Sequence, residues 1–299
     1  GADGLRTIAS GPPLTSLGVG TLESDVSLEA LRAVEALRGL EALGLGHSWS
    51  AEEDLPHLAA CTALRRLSLG DSRHQTDAFA SAIGSLERLE HLSLRYCLEL
   101  TGAGLDALVR LRLRSLRVEG AVGLADDAFA ALSRCASLHR LWVDAQRAPT
   151  QLGRLSDDGL ARLELPALRH LRLRCSSLTG AGLRPDALPE LRRLHLALGS
   201  AAAAERVSRL PRLEHLTSPL DAETLAPLAG STTLRSLETS VPARAAEALG
   251  QLLAAGNVEE LELAVQRITP ALVAALARGV RLRRLVIRRG LHPPSPVDV

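Results

Sequence analysis

Residues 89–118 read LEHLSLRYCLELTGAGLDALVRLRLRSLRV. The two ends of this stretch, LEHLSL and LRSLRV, share the pattern L-x-x-L-x-L, in which the last two apolar residues alternate with polar ones. A period of two sends Leu92 and Leu94 to one face of an extended chain and His91, Ser93 and Arg95 to the other, so each hexamer predicts a short strand with one buried face. Between the hexamers, GLDALVRL spaces its apolar residues three or four apart, which is the period of a helix. Strand, turn, helix and return therefore fit into one unit, and successive strands run the same way.

The hexamer recurs along the whole chain. Its middle apolar residue falls at Leu17, Leu43, Leu67, Leu92, Leu116, Leu141, Leu171, Leu194, Leu216, Leu237, Leu261 and Leu285. Successive members stand 21 to 30 residues apart, a spacing that marks a stacked array of like units. Helical spacing returns in DDAFAALSRC, DDGLARLEL, PARAAEALGQLLAAG and PALVAALARG. Thr101, Asp126, Ser156 and Thr269 stand where a helix N-cap belongs, and Pro270 suits a first helical turn. The array is predicted over 14–290, with an N-terminal tail or partial cap at 1–13 and a Pro-rich tail at 291–299.

With 299 residues, 46% of them apolar and 23% charged, the chain can bury a large core. Aromatics make up only 2%, so the core must be built from Leu, Val and Ala, which suits thin repeated layers. The net charge of +1 gives no global attraction to nucleic acid or membrane. All 35 basic residues are arginine. That fits GC-rich coding, and it fits a protein avoiding lysine beside a lysine-modifying ligase. Cys61, Cys97, Cys135 and Cys175 fall inside the repeats without a CxxC pair, and so read as reduced, buried thiols. No apolar run approaches the ~20 residues of a membrane span and no signal peptide is visible, so a cytoplasmic location is the expectation. The opening residue, Gly1, is compatible with removal of an upstream segment.

The units LSLRYCLELTGAGLDALV and LRLRCSSLTGAGL resemble the cysteine-containing class of leucine-rich repeat, of the F-box and ribonuclease-inhibitor kind. Its pattern runs L-x-x-L-x-L-x-x-C-x-x-L-T-x-x-G-L, and Cys97, Thr101, Gly104 and Leu105 match it. Cys175 lies one place early, and several repeats carry Ser, Ala, Gly or Pro at the Cys position. The resemblance implies an α/β leucine-rich-repeat solenoid of about twelve repeats, a horseshoe with a concave parallel sheet and short convex helices, used to recognise proteins. Similar arrays serve ubiquitin ligases as substrate receptors and occur in bacterial effectors and immune-type receptors. A free-standing interaction module and the substrate-recognition or sensor part of an enzyme assembly therefore both stand, and a bacterial source is the expectation. Neither terminal stretch reads as a polar capping repeat, so a fused or associated domain is expected at an end.

The register also lists the residues that face a partner, because they precede, separate and follow the buried pair of each strand. The first two repeats are nearly bare, with Gly18, Ala42 and Gly44. The middle is rich in Arg and His: His91, Arg95, Arg117, Arg140, His170, Arg172, Arg174, Arg193 and His195 surround Trp142. Glu238, Glu260 and Glu262 then form an acidic step. Trp and Arg are enriched at binding hot spots, although Trp142 could equally be covered by stacked arginines. Like charges repeated on adjacent strands repel unless an acidic partner or counter-ions answer them, so an acidic peptide or protein segment is the expected ligand. Nucleic acid ranks below it because aromatic platforms are nearly absent. His170, His195 and His215 come from consecutive strands, but neighbouring arginines disfavour a cation there, and a pH-responsive contact is the better reading.

No Walker loop, HExxH, GxSxG or dinucleotide fingerprint occurs. Asp157 and Asp158 read as a helix start, and the turn cysteines as packing. Neither catalysis nor a cofactor is expected. The longest interval, the 30 residues from Leu141 to Leu171, adds a loop at about 145–156, the one place where the spacing leaves room for a pocket.

Overall fold

The computed structural model describes residues 14–19, 38–46, 55–70, 75–145 and 154–289. The two tails and most of the loop at 145–156 lie outside them. The chain forms two compact units, Gly1–Leu165 and Pro166–Val299. In the first, six parallel strands lie side by side in chain order: β1 Ser16–Val19, β2 Ala42–Leu45, β3 Arg66–Leu69, β4 His91–Arg95, β5 Ser115–Glu119 and β6 Arg140–Asp144. The second holds β7 His170–Arg174, β8 Arg193–His195, β9 His215–Thr217, β10 Ser236–Ser240, β11 Glu260–Val265 and β12 Arg284–Arg289, again parallel and in order. This is leucine-rich-repeat solenoid architecture in each unit.

The register is the one that the hexamers predict. Leu17, Leu43, Leu67, Leu92, Leu116 and Leu141 pair in sequence across the first sheet. Leu171, Leu194, Leu216, Leu237, Leu261 and Leu285 do so across the second. From Leu43 to Leu261 these middle leucines are buried, so every layer of core is anchored by the same position. Just before each strand a second regularity appears. The carbonyl of the first free residue accepts two N–H groups from the next repeat: Arg65 O from Glu90 and His91, Glu214 O from Arg235 and Ser236, Glu259 O from Arg283 and Arg284.

Helices fill the returns. The first unit has α1 Leu55–Ala59, α2 Asp77–Ile83, α3 Gly102–Ala107, α4 Asp127–Ser133 and α5 Asp157–Leu160; the second has α6 Ala201–Ser208, α7 Ala222–Leu228, α8 Ala246–Ala254 and α9 Pro270–Leu276. Thr101, Ser156 and Thr269 cap α3, α5 and α9 by accepting from Ala103 N, Gly159 N and Leu272 N. Asp126 does not cap α4, contrary to the sequence expectation: its backbone is already helical and its side chain bonds to no N–H of that helix. Its carboxylate reaches the following repeat instead, accepting from Ser156 N at 2.7 Å and Ser156 Oγ at 2.6 Å. Asp77 grips Thr101 in the same way, at 2.8 and 2.6 Å. A Cβ on Gly104 would collide with the Asp77 carboxylate, and one on Gly159 with that of Asp126. The T-x-x-G and S-x-x-G spacing thus makes room for an aspartate from the preceding repeat.

Between β7 and β8 the return contains only a 3-10 turn, Pro185–Ala187. Pro185 supplies no N–H for a longer helix, and the interval from Leu171 to Leu194 is short.

Candidate functional site

The sheet residues that alternate with the buried leucines form columns on the opposite face. In the first unit the central column runs Gly44, Ser68, Ser93, Arg117, Trp142. The Arg117 guanidinium lies over the Trp142 ring, 3.6 Å from its centroid. The same guanidinium donates to Glu119 Oε1 from Nε at 3.0 Å and from Nη2 at 2.7 Å. Glu119 sits in register between Arg95 and Asp144. Two carboxylates therefore temper the positive charge here, and Trp142 is half-buried beneath Arg117. The neighbouring column holds Arg66, His91, Ser115 and Arg140. Burial lowers the pKa of His91, aided by Arg66, Arg140 and Arg114 and opposed by Glu90.

In the second unit β7 presents His170, Arg172 and Arg174, and β8 presents Arg193 and His195; His170 pairs with Arg193, and Arg172 with His195. Burial, then the charges of Arg172 and Arg174, pull the His195 pKa down to about 4. His215 on β9 is lowered by burial and Arg193. His195 is therefore a neutral imidazole near pH 7, which corrects the expectation that it titrates close to neutrality. The positive strip ends at Glu238, whose Oε2 accepts from Thr217 Oγ1 at 2.9 Å. Burial raises the pKa of Glu238, and Glu262 adds to the rise. Glu262 itself pairs with Arg288 Nε at 2.8 Å. Among the described residues no group of three or more His, Cys, Asp or Glu could hold a metal ion. Nor, among them, is any helix long and apolar enough to cross a membrane.

All four cysteines are buried. Cys97 donates to Gln75 Oε1 at 2.9 Å, while Gln75 Nε2 donates to Gly70 O at 2.8 Å. Burial pushes the Cys97 thiol far up, and that of Cys135 to about 11, so neither thiol is poised as a nucleophile. Gln75 lies outside every hexamer and outside the predicted helices, and periodicity gave no sign of its burial. A cavity of about 580 Å³ lies in the second unit, lined by Leu198, Leu220, Val241, Val265 and Leu272 with Arg267 at its border. Its walls come from ordinary strand-to-helix turns, so a pocket here needs no enlarged interval.

No family model matches the chain, and no curated protein matches it in sequence. It is similar to a solved internalin (inlF) from Listeria monocytogenes, with 15% identity over 95% of this chain and 93% of that one and a TM-score of 0.40. Internalin C2 from the same bacterium gives 13% identity over 96% and 92%, with a TM-score of 0.35. The Drosophila Toll–Spatzle complex gives 17% identity over 92% of this chain and 36% of that one, with a TM-score of 0.47.

Proposed function

We propose that the chain is a non-catalytic protein-interaction module that holds acidic segments of a protein partner on the outward face of the sheet in each unit. The contacts are Arg172, Arg174, Arg193, His170 and His195 in the second unit, and Trp142, Arg117, Arg140, Arg95 and His91 in the first. The observation that carries this reading is the pair of neighbouring strands β7 and β8, whose outward columns hold three arginines and two histidines. The depressed pKa of His195 reports the positive potential there, after the larger effect of burial. Such a surface suits carboxylates, which arginine binds in bidentate fashion. Carboxylate recognition by preset side chains requires no acid–base pair and no cofactor. Buried thiols fit a reducing, cytoplasmic setting.

The test is titration with a labelled oligoglutamate peptide, beside an oligonucleotide of equal charge. Arg172→Glu is expected to weaken peptide binding at least tenfold, about 1.4 kcal/mol, mainly through slower association. Trp142→Ala should weaken it by on the order of 2 kcal/mol, because Arg117 loses the ring that holds it. Glu262→Arg should leave binding intact or strengthen it. Equal binding by wild type, Arg172→Glu and Trp142→Ala would remove the outward face from consideration, and preference for the oligonucleotide would replace the acidic peptide as ligand.

A further inference from the structure

The last strand of the second unit ends in an edge built like the inner steps from β8 onward. The first free residue of the hexamer alternates in sign along two runs, Glu41, Arg65, Glu90 and Arg114 in the first unit and Arg192, Glu214, Arg235, Glu259 and Arg283 in the second, whereas Thr15, His139 and Arg169 hold the same position outside them. Ion pairs bind this column together: Arg65–Glu90 at 2.9 Å, Arg114–Glu90 at 3.6 Å, Arg192–Glu214 at 2.8 Å, Arg235–Glu259 at 4.0 Å and Arg283–Glu259 at 3.6 Å. Each inner carbonyl of the column also takes two N–H groups from its successor, as the Glu259 carbonyl does from Arg283 N at 2.7 Å and Arg284 N at 3.1 Å.

Arg283 ends that column, with 81% of its side chain exposed. Among the described residues no N–H reaches its carbonyl and no strand lies on the outer side of β12. Leu285 and Ile287 are 42% and 37% exposed, whereas their β11 partners Leu261 and Leu263 are 1% and 0%. Val280 is exposed as well. The edge thus offers backbone groups, an apolar strip and an arginine that the ladder would answer with a carboxylate.

We infer that the outer edge of β12 is a docking site for a β-strand of a partner polypeptide that runs parallel to β12, sets a carboxylate against Arg283 and lays apolar side chains on Leu285 and Ile287. Strand addition of this kind draws affinity from main-chain hydrogen bonds and selectivity from alternate side chains. Charge decides the occupant. A second copy joined through its own β12 would set Arg283, Arg284, Arg288 and Arg289 against themselves, and like charges across a strand pair are destabilising. The β1 strand carries Thr15 and Ser16 in the same columns, with no carboxylate to offer. β11 shows what fits, since Glu259 and Glu260 meet Arg283 and Arg284 on the inner side.

The probe is a labelled peptide with the sequence VEELELAV, which copies 258–265, titrated into the full chain. Saturable binding is expected, weakened at least tenfold by Arg283→Glu and restored when the first glutamate of the peptide is changed to arginine. Leu285→Asp should also weaken VEELELAV binding while leaving oligoglutamate binding unchanged, which separates this edge from the outward face. Rescue by the charge-swapped peptide shows that the Arg283→Glu protein is folded. The inference is overturned by absence of saturable binding, by binding insensitive to Arg283→Glu, or by failure of the swapped peptide to rescue. Sedimentation of the chain as a dimer that Arg283→Glu dissociates would give the edge to a second copy and overturn it equally.

Discussion

Gly104 and Gly159 stand in short helices, where alanine is the better helix former by about 1 kcal/mol. On helix propensity alone, Gly→Ala at either position should stabilise the protein. The aspartate of the preceding repeat reverses the sign, because a methyl group at Gly104 falls on the Asp77 carboxylate and one at Gly159 on that of Asp126. Gly104→Ala is therefore expected to destabilise by about 1–3 kcal/mol, the cost of pushing apart a packed contact, as read from a urea midpoint. Asp77→Ala should also destabilise, since Thr101 N and Oγ1 lose their shared acceptor. The double variant should lose less than the sum, because the alanine at 104 no longer meets a carboxylate. Strict additivity would show that the glycine serves another purpose.

At the scale of the strand, the hexamer was sufficient to read the fold. The leucine at its centre sets the register, and a slip of one residue would have turned every core side chain outward, so the pairing of Leu116 with Leu141 and of Leu171 with Leu194 was legible from spacing alone. The outward columns came with it. What each column residue does was not legible, because it depends on partners one repeat away. Arg117 could have met solvent, yet it covers Trp142 and bonds to Glu119. Asp126 looks like a cap, yet it serves Ser156 thirty residues later. His195 on β8 has the clearest consequence. Its folded-state pKa of about 4 lies below the ordinary 6.5, so between those values the unfolded chain takes up a proton that the folded chain refuses. Stability from this group is complete above pH 6.5 and falls as the pH drops towards 4. His91 and His215 act in the same sense. Glu238, whose pKa is raised, acts oppositely and above pH 4.5. Thermal melts are expected to lose stability steadily from pH 6.5 to 4, and His195→Gln should flatten that decline. A wild-type melting temperature constant over this window would show that His195 is more accessible to the proton than its surroundings indicate.

On the scale of the whole molecule, the alternation of glutamate and arginine before the strands gives the array a parity. From Arg192 to Arg283 each repeat complements its neighbour and duplicates the next but one. Excising 235–258 removes one period and seats Glu214 beside Glu259, while excising 214–258 removes two and seats Arg192 beside Glu259. Each surface pair is worth at most about 1 kcal/mol, but salt reads its sign directly. The chain lacking one period should gain stability as sodium chloride is raised, and the chain lacking two should lose it; urea midpoints at low and high salt would separate them. Within the run from Arg192 to Arg283 an odd change in the number of repeats brings like charges together in the column, and an even change keeps its neighbours opposite.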